Sequence, residues 1–320
     1  MEVLAAIYER TGPSHEVLRV EEIPTPEPGP GEVRVRVRLS AVNPTDWKSR
    51  ARTATIPDAG FQIPNQDGMG TIDAVGEGVH PGRLGERVWL YFCAWQRQWG
   101  SAAQYTVLPS EQAVPLPESA SDELGASMGI PALTAHRCLF ADGPLDGKTV
   151  LVHGGAGAVG HYAIELAKWG GARVASTVSN DEKAGLARRA GADVVVNYRE
   201  GNAAEELPKV DRIVEVAINQ NLALDLAVMA PNAVVSAYAN GTLESVPIRD
   251  LMTRNILLRF VLVYTMPPEA LQQAVDEVSE ALRANVLTEL PAHRFPLDRI
   301  ADAHDAVENG AVGKVFVDIP

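Results

Sequence analysis

A glycine-rich turn between an apolar strand and an amphipathic helix constrains this chain more than any other feature of its sequence. It lies in residues 148–168, KTVLVHGGAGAVGHYAIELAK, where Gly154, Gly157 and Gly160 recur at three-residue spacing. The first glycine permits a tight turn, the second lets a phosphate approach the backbone, and the third lets the helix pack closely on the strand. The amide groups at the start of the helix then face an anion. Because strand and helix are both present, the segment predicts a dinucleotide pyrophosphate site rather than an ordinary strand-to-helix turn.

The composition excludes several classes of protein. With 320 residues, 46% of them hydrophobic and 22% charged, the chain is long enough for two domains with separate cores, and its composition is that of a globular protein. A net charge of −13 argues against a surface for nucleic acid or for an anionic membrane. The two cysteines, Cys93 and Cys138, cannot by themselves form a disulfide framework or a cysteine-built zinc site.

The chain also lacks the sequence signals of export. The first residues, MEVLAAIYERTG, do not combine a cationic start with a long apolar run. The most apolar late segment, residues 256–264, is too short to span a bilayer and carries Arg259, so we interpret it as a buried or interface strand. We therefore expect a cytoplasmic protein without membrane insertion.

Hydrophobic periodicity divides the chain into three parts. Residues 1–122 alternate apolar and polar positions, as in EVRVRVRL at 32–39, and are interrupted by proline and glycine; they predict an antiparallel, barrel-like domain. Residues 123–290 alternate strand-like and helix-like segments, which predicts an α/β domain with a doubly wound parallel sheet. Residues 291–320 return to mixed structure, and we expect them to rejoin the first domain. The strand candidates of the middle part are 149–153, 173–178, 194–196, 212–216, 233–237 and 257–263.

Local signals predict some element boundaries. Ser179 and Glu182 resemble a capping box that opens a helix ending at Gly191. A helix over 300–308 should stop at Asn309-Gly310 and lead into a terminal strand, KVFVDI.

Short motifs follow one another along essentially the full length of the chain, and their order is more specific than any one of them. In that order the chain resembles the medium-chain dehydrogenase/reductase superfamily, in its zinc-free quinone oxidoreductase, or zeta-crystallin-like, branch. The resemblance implies a Rossmann-type NADP-binding domain inserted into a GroES-like β-barrel domain, with the cofactor in the cleft between them. The motifs are PEPGPGEVRVRV at 26–37, SAVNPTDWK at 40–48, GTIDAVGEGV at 70–79, GERVW at 85–89, GSAAQYTVLPSEQAVPLP at 100–117, PALTA at 131–135, VHGGAGAVG at 152–160, AGADVVVNY at 190–198 and GKVFVDIP at 313–320.

The same resemblance implies that no catalytic zinc is bound. Zinc-dependent relatives carry cysteine where this chain has Asn43, and a histidine-glutamate pair where it has Gln66 and Asp67. The cysteine-rich lobe that holds a second, structural zinc in those relatives also has no counterpart here. The seven histidines do not fall in a metal-binding spacing. We expect four of them, His15, His80, His136 and His161, at the surface or at helix ends.

Without zinc, hydride delivery to an electron-poor acceptor is favoured over alcohol oxidation, because nothing obvious lowers the pKa of an alcohol. The protein must then supply position and hydrogen-bond donors to the oxygen that gains charge. By family position we expect Asn43, Lys48, Tyr91 and Thr134 near the nicotinamide, with Thr134 at its carboxamide end. Lys48 departs from the tyrosine that many quinone reductases carry, so it is either a donor to the substrate or an exposed surface lysine.

Cofactor choice depends on the residues after the second strand of the α/β part. An NAD site usually carries an acid there, but none occurs between Glu165 and Asp181. Small hydroxyls and a cation suit a 2′-phosphate instead. In similar quinone reductases the lysine and tyrosine matching Lys183 and Tyr198 hold that phosphate, so NADPH is the expected cofactor; the alternative is that Lys183 is only a solvated helix residue. The expected cofactor contacts are Thr134, Gly154, Ala156, Gly157, Ala158, Val159, Gly160, Ser176, Thr177, Ser179, Lys183, Tyr198, Asn240 and Gly241.

These inferences lead to one expected activity with two alternatives. The expected protein is an NADPH:quinone reductase that passes hydride to a quinone or quinone-like small molecule. The alternatives are an enone or alkenal double-bond reductase and a weakly catalytic, crystallin-like NADPH-binding protein. Residues 255–264 are either internal or an edge strand that pairs across a twofold axis in a homodimer or homotetramer.

The cofactor assignment predicts a selective effect of Lys183→Ala. Removal of one charge-assisted contact should cost about 1.5–3 kcal/mol of NADPH binding. Fluorescence titration should therefore give a much larger increase in dissociation constant for NADPH than for NADH. Equal losses for the two cofactors would contradict a 2′-phosphate contact at Lys183.

Overall fold

The computed structural model describes residues 2–239 and 241–320, which form two compact units. The first unit contains residues 2–130 and 289–320, and the second contains the described residues of 131–288. These divisions fall at 130/131 and 288/289, whereas the sequence predicted 122/123 and 290/291. The first division is later because the short helix Asp122–Ala126 packs against strands of the first unit.

The strands and helices of the described residues are numbered here in chain order. The strands are β1 Glu2–Ile7, β2 Arg19–Pro24, β3 Glu32–Val42, β4 Asp67–Val75, β5 Arg87–Leu90, β6 Tyr105–Pro109, β7 Ala113–Pro115, β8 Thr149–His153, β9 Arg173–Val178, β10 Val194–Asn197, β11 Val210–Glu215, β12 Met229–Ala237, β13 Leu257–Phe260, β14 Ala292–Pro296 and β15 Lys314–Asp318. The α-helices are α1 Ser14–Val17, α2 Pro44–Lys48, α3 Asp122–Ala126, α4 Leu133–Phe140, α5 Ala158–Trp169, α6 Asp181–Arg189, α7 Ala203–Glu206, α8 Ile218–Val228, α9 Ile248–Thr253, α10 Pro268–Arg283 and α11 Ile300–Glu308.

Short helices of other kinds join these elements. The π-helical segments are Ser49–Thr53 and Met128–Ala132. The 3₁₀ turns are Pro81–Arg83, Ser110–Gln112, Val263–Thr265 and Leu297–Arg299.

The first unit is built on a β-sheet ordered β14-β15-β3-β4-β5-β7, with β6 also paired to β3, and on the antiparallel pair β1-β2. The alternation in β3 predicted this arrangement, because Val33, Val35 and Val37 point into the core while the intervening arginines point outward. The tail joins this sheet: β15 pairs antiparallel with β3, so that Val317 lies opposite Ser40. The predicted GroES-like β domain is confirmed.

The second unit contains a six-stranded parallel sheet in the order β10-β9-β8-β11-β12-β13. The chain runs outward from β8 to β10 and then returns to β11 on the other side of β8. This reversal of strand order creates a crevice at the carboxyl ends of β8 and β11, which is where open α/β sheets bind ligands. The predicted Rossmann-type α/β fold is confirmed.

Some local predictions differ from the structure. Helix α6 is capped by Asn180, whose side-chain oxygen accepts a hydrogen bond from the Lys183 amide at 2.9 Å, so the predicted capping box on Ser179 is wrong. Asn180 is the cap because its short side chain lies three residues before the free Lys183 amide and reaches it. Strand β13 ends at Phe260, and the next residues turn away in a short 3₁₀ helix. Within residues 2–239 and 241–320, no helix has the length and apolar character needed to cross a bilayer.

Candidate functional site

The glycine turn has the geometry that its sequence predicts. Gly154 adopts φ +68°, a left-handed conformation that residues with a side chain rarely adopt. A Cβ on Gly160 would lie 2.3 Å from the Gly154 carbonyl oxygen, so only glycine allows α5 to begin so close to the turn. Helix α5 starts at Ala158 with exposed Gly157 as its N-cap, which has no side chain to occupy the first-turn amides. The turn therefore presents backbone N–H groups to an anion.

Three of the residues predicted to hold a 2′-phosphate meet at the carboxyl ends of β9 and β10. The Lys183 ammonium donates to the Ser179 hydroxyl across 3.2 Å. Tyr198 follows β10, its backbone amide donates to the Val178 carbonyl at 3.0 Å, and its side chain is 52% exposed. A cation and a hydroxyl group are thus paired at this edge of the sheet, and the exposed Tyr198 side chain follows the neighbouring strand.

Ser176 and Thr177 do not face that edge. The Ser176 hydroxyl donates to the Val152 carbonyl at 3.0 Å, and the Thr177 hydroxyl lies 2.8 Å from the His153 Nδ1 atom. Both side chains are buried, because helices cover both faces of a doubly wound sheet. This corrects the sequence analysis: these two hydroxyls are committed to the interior, and Ser179 is the hydroxyl left for a phosphate.

The remaining loop prediction is only partly described. Gly241 is exposed and lies close to the Asn219 side chain, since a Cβ on this glycine would be 2.9 Å from the Asn219 Oδ1 atom. Asn240 lies outside the described residues.

A buried histidine with two carboxylates lies directly beside the glycine turn. His153 Nε2 is 2.9 Å from Asp225 Oδ1 and 3.4 Å from Glu215 Oε2, and all three side chains are at most 2% exposed. Within the described part of the chain, these three residues form a cluster whose metal-ligating atoms lie close enough together to share an ion. The 2.9 Å separation is also that of a hydrogen bond, which accounts for the contact without a metal. Sequence reasoning missed this cluster because its members are separated by up to 72 positions.

Two of the four histidines expected at the surface or at helix ends are buried. His136 in α4 is 3% exposed and bonds Glu277 of α10 at 2.7 Å. His161 in α5, also 3% exposed, lies 3.2 Å from Glu165 one turn later. Each imidazole has a carboxylate partner, which is how a protein interior accommodates a polar ring.

In the first unit, Asn43 belongs to a buried network of charged groups. Its side-chain amide donates to Asp67 Oδ2 at 2.7 Å, and its carbonyl oxygen accepts from the Lys314 ammonium at 2.5 Å. The backbone amide of Asn43 donates to Asp46 Oδ2 at 2.7 Å, and the Ile130 amide donates to Asp67. These contacts engage the carbonyl oxygen and one of the two amide hydrogens of the side chain, so at most one hydrogen is left for the predicted substrate contact.

Burial controls the charges of this network. It raises the pKa of Asp46 to about 8, and the nearby Asp67 charge adds to that effect. It also raises the pKa of Asp67 to about 6, although the Lys314 ammonium and the Asn43 amide oppose the change. Burial lowers the pKa of Lys314, against the attraction of both carboxylates. Two acids thus share one ammonium, and Asp46 is the acid that most readily keeps a proton.

This network fits zinc poorly. The positions that the family resemblance matches to zinc ligands hold an amide, Asn43, another amide, Gln66, and a carboxylate, Asp67. The Lys314 Nζ atom lies 4.0 Å from Asp67 Oδ2, so a dication at that carboxylate would face an ammonium at close range. Neutral amides are weak zinc ligands compared with thiolate or imidazole.

Each of the other predicted donors has its own surroundings. The Tyr91 hydroxyl donates to the Glu111 carbonyl at 3.3 Å inside the first unit, and burial raises the pKa of this phenol. Lys48 is exposed, with its ammonium 5.7 Å from the centre of the Trp47 ring. Thr134 lies in α4 of the second unit and is 5% exposed.

A cavity of about 660 Å³ opens in the first unit beside the Asn43 network. Asn43, Lys48 and Tyr91 are not among the residues that line it. The residues that do include Tyr8, Asp46, Gln62, Asn65, Gln66 and Trp95. Its volume suits a small organic molecule. The sequence analysis did not predict most of the residues that line this cavity. Asp46 could have been noticed, because an acid three residues after the helix cap Asn43 is the pattern of a capping box.

The fold and these sites define the class of protein. Residues 29–118 match the family model described as alcohol dehydrogenase GroES-like domain, and residues 158–280 match the model described as zinc-binding dehydrogenase. The chain belongs to the medium-chain dehydrogenase/reductase superfamily.

Several known proteins are similar to nearly the whole of this chain. Human quinone oxidoreductase is 29% identical over 97% of this chain and 96% of its own length. Tomato 2-methylene-furan-3-one reductase is 28% identical over 95% of this chain and 76% of its own length. A mycobacterial protein in complex with NADPH, 27% identical, superposes with a TM-score of 0.84 over 99% of both chains.

The raised pKa of Asp46 predicts a pH-dependent stability. A carboxyl with pKa 3.8 when unfolded and about 8 when folded binds its proton more tightly in the folded state, so its contribution is full below pH 4 and is lost as pH rises towards 8. Asp46→Asn should therefore reduce the drop in unfolding free energy between pH 5 and pH 8 by at least about 1 kcal/mol. Urea denaturation at the two pH values measures this drop. Asp58→Asn, at an exposed position of the same unit, is the control, and an unchanged drop in Asp46→Asn would contradict the assignment.

Proposed function

We propose that this protein is an NADPH-dependent, zinc-independent oxidoreductase that transfers hydride to a quinone or quinone-like electrophile. The observation that carries the proposal is the glycine turn with the Lys183–Ser179 pair on the neighbouring strand end, because it joins a pyrophosphate site to a cation suited to a 2′-phosphate. The similarity to human quinone oxidoreductase and to a mycobacterial protein that binds NADPH supports it.

The cofactor would be held from its two charged ends. The first-turn amides of α5, with the turn from Gly154 to Gly160, would bind the pyrophosphate, and Lys183 with Ser179 and Tyr198 would bind the 2′-phosphate. Thr134 would meet the carboxamide of the nicotinamide, as the family resemblance implies. NADPH, when bound, supplies the hydride. The protein holds and orients the cofactor and excludes water.

The residues at the positions that match zinc ligands in zinc-dependent relatives support the proposed zinc independence. Asn43 and Gln66 offer amide groups, and the carboxylate of Asp67 is already compensated by Lys314. The acceptor must therefore be activated by hydrogen bonds and by its own electron deficiency, which a quinone provides. The cavity lined by Asp46, Gln66 and Trp95 is where we propose that the acceptor binds.

A double-bond reductase is the second candidate. The similarity to tomato 2-methylene-furan-3-one reductase favours it, since that name describes an unsaturated ketone as the substrate of the relative. Both reactions use hydride from the same cofactor and differ in the electrophilic atom that receives it. A weakly catalytic NADPH-binding protein is the third candidate.

Steady-state oxidation of NADPH against matched panels of quinones and enals separates these candidates. We expect kcat/KM to be higher for quinones and unchanged by a chelator. A preference for enals would overturn the quinone assignment in favour of the second candidate. Tight NADPH binding with no acceptor reduced would favour the third candidate.

A reducing compartment such as the cytoplasm is the proposed location. Cys93 and Cys138 are both buried free thiols, and burial raises the pKa of each, which makes them unreactive. Small secreted proteins use cysteines as disulfides, and this pattern is different.

We also propose a homodimer, or a homotetramer built from it, through the edge of the second unit. Strand β13 is the last strand of the parallel sheet, so one side of its backbone is open to pairing. Large apolar side chains are exposed on and around it: Ile248, Met252, Leu257, Phe260 and Leu262. A patch of this kind marks an interface.

The proposed interface predicts that Phe260→Glu produces a monomer. Phe260 is 72% exposed, so a charge there should leave the fold intact while opposing burial between two copies. Light scattering after size-exclusion chromatography measures the mass. Leu84→Glu, at a 51% exposed leucine of the first unit, is the matched control and should keep the parent mass. Equal masses for both variants and the parent would contradict this interface.

A further inference from the structure

His153 is the point at which several strand ends of the second unit meet. It is the last residue of β8 and directly precedes Gly154. Its Nδ1 atom lies 2.8 Å from the Thr177 hydroxyl of β9, and its Nε2 atom lies 2.9 Å from Asp225 of α8. One imidazole thus joins the strand that enters the glycine turn to a neighbouring strand and to a helix.

Glu215 extends this connection to the strand on the other side. It ends β11, and its Oε2 atom lies 3.4 Å from His153 Nε2. Its other oxygen, Oε1, accepts hydrogen bonds from the Ala217 amide and from the Asn221 side chain. The carboxyl ends of β9, β8 and β11 are therefore linked by side chains as well as by their backbone ladders.

Such a cluster is costly to bury. The side chains of His153, Glu215 and Asp225 are at most 2% exposed, and two carboxylate oxygens, Glu215 Oε2 and Asp225 Oδ2, have no hydrogen-bond donor. Burial raises the pKa of Glu215. Replacing such a buried ionic cluster by apolar residues of similar volume is often neutral or stabilising, so the cluster is weak evidence for stability and its geometry points to a role in orientation.

The glycine turn is hydrogen-bonded to Thr177, which also contacts His153. The amides of Gly154 and Gly155 both donate to the Thr177 carbonyl, at 3.1 and 3.4 Å. The Thr177 carbonyl therefore accepts both hydrogen bonds from the turn, and the Thr177 hydroxyl contacts His153. A rotation of Thr177 would move the carbonyl that holds the start of the turn, and with it the amides aimed at an anion.

We propose that His153, Glu215, Asp225 and Thr177 are positioning residues for the pyrophosphate-binding turn. They act through the backbone of Gly154 and Gly155 and contact no cofactor atom themselves. The proposal rests on the proposed NADPH function, and it predicts that loss of the cluster weakens binding at the pyrophosphate while leaving the 2′-phosphate contacts intact.

Two isosteric variants test this selectively. Thr177→Val removes the hydroxyl and keeps the carbonyl, and Asp225→Asn removes the charge and keeps the shape. Calorimetric titration is done with NADPH, which has both charged ends, and with adenosine 2′-monophosphate, which lacks the pyrophosphate. We expect the dissociation constant for NADPH to rise about tenfold and that for adenosine 2′-monophosphate to change less than about twofold. Thr177→Ser, which restores the hydroxyl, should restore NADPH binding.

Matched controls distinguish positioning from general damage. Glu277→Gln alters a different histidine–carboxylate pair of this unit, the contact with buried His136, and should leave both dissociation constants unchanged. Lys183→Ala should weaken both ligands, adenosine 2′-monophosphate as well as NADPH, because both carry the 2′-phosphate. Thermal denaturation confirms that each variant is folded.

The outcomes distinguish failure of the positioning role from failure of the proposed NADPH function. If the parent binds NADPH and the folded variants bind it equally well, the positioning role is overturned and the proposed function stands. Parallel losses for both ligands would also overturn it, because they indicate loosening of the whole unit. If the parent itself binds no NADPH, the proposed function fails and the positioning role fails with it.

Discussion

The hydrogen bonds from the Gly154 and Gly155 amides to the Thr177 carbonyl are the contacts on which the nucleotide site depends. They hold the end of β8 against the end of β9, and β8 is the strand from which the sheet grows in both directions. Because Gly160 has no side chain, α5 then begins directly over the turn. The proposed pyrophosphate site is therefore made of backbone atoms, and side chains such as His153 act on it indirectly.

The first unit depends on a different kind of contact. Lys314, at the start of the last strand, places an ammonium beside Asp67 and Asn43, which stand more than 240 residues earlier in the chain. Breaking such a buried pair costs about 3–5 kcal/mol because it leaves an uncompensated charge. The tail is thus part of the same network that borders the proposed acceptor cavity. A resident ammonium at this place also opposes, in electrostatic terms, the binding of a metal cation at Asp67.

Much of the fold could be predicted from the sequence, and the site only in part. The alternation in β3, the strands of the second unit and the helix from Ile300 to Glu308 follow from periodicity and local turn residues, and the structure agrees with them. The hydroxyls of Ser176 and Thr177 were expected to contact the cofactor because they lie at the end of a strand. Both are buried, because helices cover both faces of the sheet. A general rule for doubly wound sheets could have corrected this.

Other residues had no local signal. His136 and His161 were expected at the surface or at helix ends, but each is buried and meets a carboxylate. The Asn180 cap was overlooked because Ser179 and Glu182 offered a competing pattern one residue earlier. Lys314 carried a weak clue, since it shares a strand face with buried Phe316.

By itself the sequence determined the class of fold, the glycine turn and the order of the two units, because these depend on periodicity and on backbone conformations that only certain residues adopt. Tertiary structure alone decided which side chains reach the same place. Asn43 and Lys314 meet across 271 positions through strand pairing, and His153 and Asp225 meet across 72 through the packing of α8 on the sheet, and no local pattern encodes either contact. It also decided the charge state of Asp46, because desolvation depends on everything packed around a group.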